Sequence, residues 1–181
     1  MSKYNFQSIR DDYLTPPAIY QQVLQENNLP YFECDTCCSK YNIPALIYYK
    51  RDGQYALNKK IGEENGLIGD WFATNWCNPP FGQCEEFVKK AAEQQQKGKT
   101  TFMLIPARPE TEYWQKYILQ NGKANRANVE VHFYKKGICF IDPDTMQPIK
   151  MKVRKNGKEK FVDGVYKNPL ALVTFKGVQN V

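Results

Sequence analysis

Histidine occurs once in the 181 residues, at position 132. Triads or dyads that need a histidine base therefore have one candidate, and it alternates with Val131 and Phe133 as a plain strand residue would. No P-loop is present, so nucleotide hydrolysis has no foothold. No apolar run approaches the roughly 18 residues of a membrane helix, and the opening MSKYNFQSIRDDYL lacks the apolar core of a signal peptide. The expectation is a cytoplasmic protein without a membrane partner. Internal repeats and low-complexity linkers are also missing, which favours a single domain over residues 1–181. Cys34 and Cys37 have C-x-x-C spacing, but Cys77 and Cys84 do not supply a matching second pair. No metal is expected, and the six cysteines read as thiols packed like small apolar groups.

What is present is an ordinary globular composition, 42% hydrophobic and 24% charged, with a formal charge of +6. That excess suits a polyanionic partner without specifying one. Thr15-Pro16-Pro17 opens a helix through AIYQQVLQENN, with threonine able to cap and proline tolerated in the first turn. LPYFEC (29–34) reads as a strand ending at Asp35, and Tyr41–Tyr49 is compatible with helix or strand. WFATNWC (71–77) reads as a buried strand, CEEFVKKAAEQQQKG as an amphipathic helix stopped by Gly98, and TTFMLIP (100–106) as an apolar strand. ETEYWQKYILQ (110–120) predicts a helix, and VEVHFY (129–134), GICFI (137–141) and LALVTF (170–175) predict strands. This order predicts an α/β fold with a mostly parallel sheet and antiparallel C-terminal strands. The basic stretch IKMKVRKNGKEK (149–160) carries six basic residues and one acidic one around Asn156-Gly157, a strong hairpin signal. It is either a solvated surface hairpin or a DNA-facing one, with Lys150, Lys152, Arg154, Lys155 and Lys158 as candidate phosphate contacts.

Asn78-Pro79-Pro80-Phe81 follows a buried strand directly, where open α/β sheets place their ligands. An exocyclic adenine amine is a poor nucleophile because its lone pair is delocalised. Two acceptors, the Asn78 side-chain oxygen and the Pro79 carbonyl, can hold both N–H bonds and favour a tetrahedral nitrogen. Pro80 stiffens the turn, and Phe81 can stack on a base flipped from the duplex. The bland alternative is a tight turn made of turn-forming residues.

In order along the chain come DDYLTPP (11–17), FECDTC (32–37), GLIGDW (66–71) and NWCNPPFG (75–82). FVKKAAEQQQKGKTTFMLIPARPETEYW (87–114), KGICFID (136–142) and NPLALVTF (168–175) follow. With this ordered set the chain resembles the phage-type, Dam-like DNA N6-adenine methyltransferases over nearly its whole length. The resemblance implies a Rossmann-like fold dependent on S-adenosyl-L-methionine (SAM), double-stranded DNA as partner, and a monomer. It assigns the target adenine to Asn78, Pro79, Pro80 and Phe81, and cofactor contacts to Thr15, Pro16, Asp35 and Asp70. Thr15 would touch the amino-acid end of SAM, Asp35 its ammonium, and Asp70 the adenosine. One departure stands out: Asp35 is followed by TCCSKYN rather than a glycine-rich loop, and Asp52, Glu63 and Glu64 are equal candidates for the ribose. RNA or protein glutamine acceptors, and a catalytically silent DNA-binding module, are the alternative readings. Little chain remains for a target-recognition domain, so a short or relaxed recognition sequence is expected, and Ile138–Asp144 is a second candidate DNA face. The phage likeness implies a role in protecting DNA from restriction.

Overall fold

A computed structural model describes residues 13–40, 42–50, 65–155 and 158–178. Asp52, Glu63, Glu64 and the first two residues of DDYLTPP lie outside the described residues, as do the side chains of Arg154, Lys155 and Lys158.

The central sheet has six strands: β1 (Phe32–Cys38), β2 (Ala45–Lys50), β3 (Thr74–Cys77), β4 (Thr100–Pro106), β5 (Val129–Phe133) and β8 (Leu170–Phe175). Their order is β2-β1-β3-β4-β8-β5. β1 to β4 run parallel, and β8 is antiparallel to both of its neighbours. The expected mostly parallel sheet with antiparallel C-terminal strands is therefore observed. From β1 the chain moves to one side for β2 and to the other for β3, a topological switch point at which such sheets open a crevice beyond their carboxyl ends.

One helix covers each face. α1 (Pro17–Glu26) buries Tyr20, Val23 and Leu24 in a cluster with Phe32, Trp76, Phe102 and Leu104. α2 (Cys84–Gln96) buries Phe87, Val88 and Ala91 against Cys34, Cys77, Met103 and Val173 on the other face. β4 is flanked on both sides and buried from Thr101 to Pro106, which explains its uninterrupted apolar run. Among the described residues no helix is long and apolar enough to cross a membrane.

Four expectations change. β1 begins at Phe32 and runs to Cys38, so Asp35 sits within the strand and not at its end. The helix expected over 110–120 shrinks to a short coil whose main part is a π turn at Trp114–Ile118. There Trp114 is wholly buried and its indole donates to the Pro106 carbonyl, so the chain widens to seat the ring. GICFI forms no ladder strand: Ile138 O, Phe140 O and Ile141 N bond three different segments, at Tyr166, Ile149 and Leu14. Ile138 and Phe140 are also buried, which removes both from an exposed DNA face.

The basic segment forms a separate two-stranded hairpin, β6 (Lys150–Lys155) with β7 (Lys158–Asp163). It extends three residues beyond the predicted end. That extension brings in Asp163, which pairs with Lys150, while Lys152 pairs with Glu159 at 2.6 Å.

Candidate active site

β3 ends at Cys77, and Asn78 is the first residue past its carboxyl end. Pro79 and Pro80 are buried and turn the chain into a single 3-10 turn, Phe81–Gln83, that feeds α2. The Pro80 carbonyl accepts from Gln83 N at 2.8 Å, which closes that turn. Asn78 Nδ2 donates to the Tyr13 carbonyl at 3.2 Å. Its other atom, Oδ1, is buried with no partner. The amide is thus fixed through its donor, and its acceptor is left over.

A narrow cleft opens here, between the ends of β1 and β3 and the arm that precedes α1. Thr15, Asp35, Trp76, Asn78 and Pro80 all line it. Five buried side-chain polar atoms lack a partner among the described residues, and three of them belong to residues that line this cleft: Thr15 Oγ1, Trp76 Nε1 and Asn78 Oδ1. Buried polar groups are nearly always paired with protein, water or a ligand, so this concentration makes the cleft the candidate ligand site.

Asp35 is 3% exposed. Burial pushes its carboxyl up to about 7, against the opposing hydrogen bonds from Cys37 N (3.2 Å) and from Cys38. A carboxyl so poised, in a cleft, is the kind of group that a bound cation would ionise. Thr15 does not cap α1: the cap position is Pro16, no side-chain cap bond forms, and the Thr15 hydroxyl turns inward. Instead the Thr15 carbonyl accepts from Asn42 Nδ2 at 2.9 Å, which ties the arm to the cleft's far wall.

Phe81 is half-buried. Its ring meets Tyr166 at 5.2 Å and Phe140 at 6.2 Å, both edge-on. Gly137 lies so close to Tyr166 that a Cβ there would stand 2.4 Å from the Tyr166 carbonyl oxygen, which explains its glycine. Such edge-to-face contacts fix the orientation of the Phe81 ring.

The structure does not bring Asp70 to this group. Asp70 accepts from Gln94 Nε2 (3.0 Å) and Lys97 Nζ (2.7 Å), at the C-terminal end of α2. α2 begins beside the NPPF turn, and its 13 residues span about 20 Å, so Asp70 stands at the amino ends of the strands. Its segment is a clasp. Trp71 Nε1 donates to Gly66 O at 2.7 Å, and Gly66 lies against Thr36, where a Cβ would stand 1.9 Å from the carbonyl oxygen. Sequence reasoning overlooked Trp76, although it precedes Asn78 by two residues and a strand's period of two places both on one face. It also overlooked Tyr13 and Tyr166, whose contacts are long-range and leave no local signal.

The structure is thus an α/β fold whose mostly parallel sheet has a cleft at its switch point and an Asn-Pro-Pro-Phe turn beside it. The family profile described as "DNA N-6-adenine-methyltransferase (Dam)" matches residues 3–180, and the chain belongs to that family. No curated protein matches the chain, and no solved structure does.

Proposed function

We propose that this protein is a Rossmann-like enzyme that moves a methyl group from SAM to the N6 amine of adenine in double-stranded DNA. The observation that carries the reading is the unpartnered, buried Asn78 Oδ1 at the carboxyl end of β3. An amide held by its donor offers one lone-pair site to an incoming N–H, which is what a target amine requires. The Pro79 carbonyl takes the second N–H. With both N–H bonds engaged, the nitrogen lone pair is drawn out of conjugation and points away from the two acceptors. The turn costs little to reorganise, since two prolines fix it.

Phe81 stacks on the flipped base, held upright by Tyr166 and Phe140. SAM supplies an electrophilic methyl on a sulfonium. The residues suited to hold it are Thr15, Pro16 and Asp35, with the Asp35 carboxylate facing the ammonium. The unpartnered Thr15 hydroxyl and the buried Asp35 carboxyl in one cleft are the features that fit this group. No residue need act as a strong base: the proton leaves after the nitrogen has become cationic and acidic.

The β6–β7 hairpin is the DNA-contacting arm in this reading. Lys150 and Lys152 are half-exposed and hold only exposed carboxylates, which phosphates can displace at little cost. Arg154, Lys155 and Lys158 extend the same strands towards the turn. A short recognition sequence follows from the small size of this arm.

The test is transfer of labelled methyl from SAM to unmethylated duplex DNA, followed by nucleoside analysis, with Asn78→Ala alongside. Label in N6-methyladenine that disappears in the variant is the expected result. SAM binding with no label in DNA points instead to an RNA or protein acceptor, and absence of SAM binding points to a silent DNA-binding module.

A further inference from the structure

Three tryptophans occur in the chain. Two of them donate their indole N–H within the protein: Trp71 to Gly66 O at 2.7 Å and Trp114 to Pro106 O at 3.2 Å. Trp76 is wholly buried and donates to nothing among the described residues. Its ring is accounted for by packing, tilted against Phe32 at 5.4 Å within the α1-side core. Phenylalanine would serve that purpose. The N–H is what packing leaves unexplained, since an indole can only donate and a buried donor without an acceptor is costly.

Position supplies the explanation. Trp76 is paired in register with Asp35 across β1 and β3, so their side chains share a face, and Asn78 follows on that same face. All three line the cleft. In the proposed reading, on which this inference rests, Asp35 faces the ammonium of the amino-acid end of SAM. Ammonium and carboxylate hang from one carbon, so the carboxylate comes to rest among the neighbours of Asp35. No arginine or lysine lines the cleft among the described residues. Neutral donors must therefore receive it. Asn78 Nδ2 is engaged by Tyr13 O, and Asn42 Nδ2 by Thr15 O. Among the side-chain donors of the residues that line the cleft, the Trp76 indole N–H and the Thr15 hydroxyl are the two that are buried without a partner among the described residues. We infer that Trp76 Nε1 donates to the α-carboxylate of the bound cofactor, with Thr15 Oγ1 as the second donor.

Calorimetric titration of the full-length protein tests this, with SAM and with decarboxylated SAM, which is the same compound without that carboxylate. The expected result for Trp76→Phe is a loss of about tenfold or more in affinity for SAM, in line with a hydrogen bond to a charged group, and no change for the decarboxylated compound. Equal losses for both compounds would mean that the indole acts through shape, and no loss for either would mean that it is idle. Each of these outcomes overturns the inference. A second measurement avoids dependence on the variant's folding. In 15N-labelled wild-type protein, one of three indole N–H signals should move downfield with SAM and stay in place with the decarboxylated compound. Movement with both, or with neither, rejects the inference. If wild-type protein binds no SAM at all, the proposed function itself fails, which is a distinguishable result.

Discussion

Asp35, within β1, and Asp70, in the segment before β3, were both candidates for the same cofactor, yet the two ends of the sheet treat them in opposite ways. At the amino end, Asp70 is exposed, paired with Lys97 and Gln94, and its carboxyl is lowered to about 2, first by the Lys97 hydrogen bond and then by that from Gln94. Within β1, in the wall of the carboxyl-end cleft, Asp35 is buried with no cation beside it among the described residues, and desolvation raises it to about 7. Nearby Thr15, Trp76 and Asn78 each withhold one polar atom from the protein. Saturated polar groups brace a fold. Unsaturated ones, gathered in one cleft, weaken the fold and await a ligand. In the proposed reading, that difference separates bracing residues from ligand-binding ones more sharply than residue type or motif membership does.

The hardest way to break this contrast is to remove the acceptor that it makes most of. Asn78→Ala should reduce methyl transfer by roughly 10²–10³-fold, the usual cost of one preorganised partner of the reacting group. SAM affinity should stay within about twofold, because the Asn78 acceptor serves the base. Steady-state methylation alongside calorimetry measures both. A parallel loss of SAM binding would show that the amide braces the cleft as a whole.

Asp35→Asn comes next. SAM affinity should fall by about 10–100-fold with the loss of a buried carboxylate–ammonium contact. The apo protein should respond in the opposite sense. A carboxyl raised to about 7 in the fold, against roughly 3.9 unfolded, gives stability that is complete below the unfolded value and is lost as pH rises through about 7. The variant lacks that loss. Its melting temperature should therefore gain on the wild type between about pH 4 and 7, and hold that gain above. Wild-type SAM affinity should itself weaken as pH falls below about 7, where the carboxyl protonates, while that of Asp35→Asn stays flat. A flat wild-type profile would place the ammonium elsewhere.

Lys150→Gln with Lys152→Gln probes the hairpin through two lysines that are half-exposed and already paired, with Asp163 and Glu159. DNA affinity should fall a few-fold at low salt. The slope of log affinity against log salt should diminish by about 2, close to 0.9 for each phosphate that the variant no longer neutralises. Turnover at saturating DNA should be unchanged. An unaltered slope would make the hairpin a solvated surface element.

Much of this contrast was legible in the sequence, and the illegible part has a physical cause. α2 and β4 announce themselves through periodicity and an unbroken apolar run, because each is defined by the core that it contacts. The hairpin is announced in the sequence by Asn156-Gly157, a local turn preference. NPPF after a strand locates the site because the carboxyl-end rule is a property of topology. Satisfaction of hydrogen bonds is not local. The partners of Asp70 lie 24 and 27 residues away, and the group that secures Asn78 lies 65 residues away. Thr15 looks like a cap by composition, but Pro16 takes that place and leaves its hydroxyl to the cleft. Gly137–Ile141 has a strand's composition, yet its backbone serves three separate segments, so no ladder can form.

The smallest expected effect is the sharpest control. Asp70→Asn retains an acceptor for Gln94 Nε2 and removes only the charge opposite Lys97. Both groups of that pair are largely exposed, with side-chain exposures of 72% and 55%, so solvent already screens their attraction. SAM affinity and methylation should match the wild type, and the melting temperature should move little, with less of a shift as salt increases. Were Asp70 instead a contact for the adenosine, SAM affinity would fall with no change in stability. That result would require the cofactor to reach the amino end of the sheet, across the length of α2, and the division between braced and ligand-seeking ends would collapse. Parallel titrations of Asp35→Asn and Asp70→Asn under one buffer therefore test the division itself: it predicts a deficit in the first and none in the second.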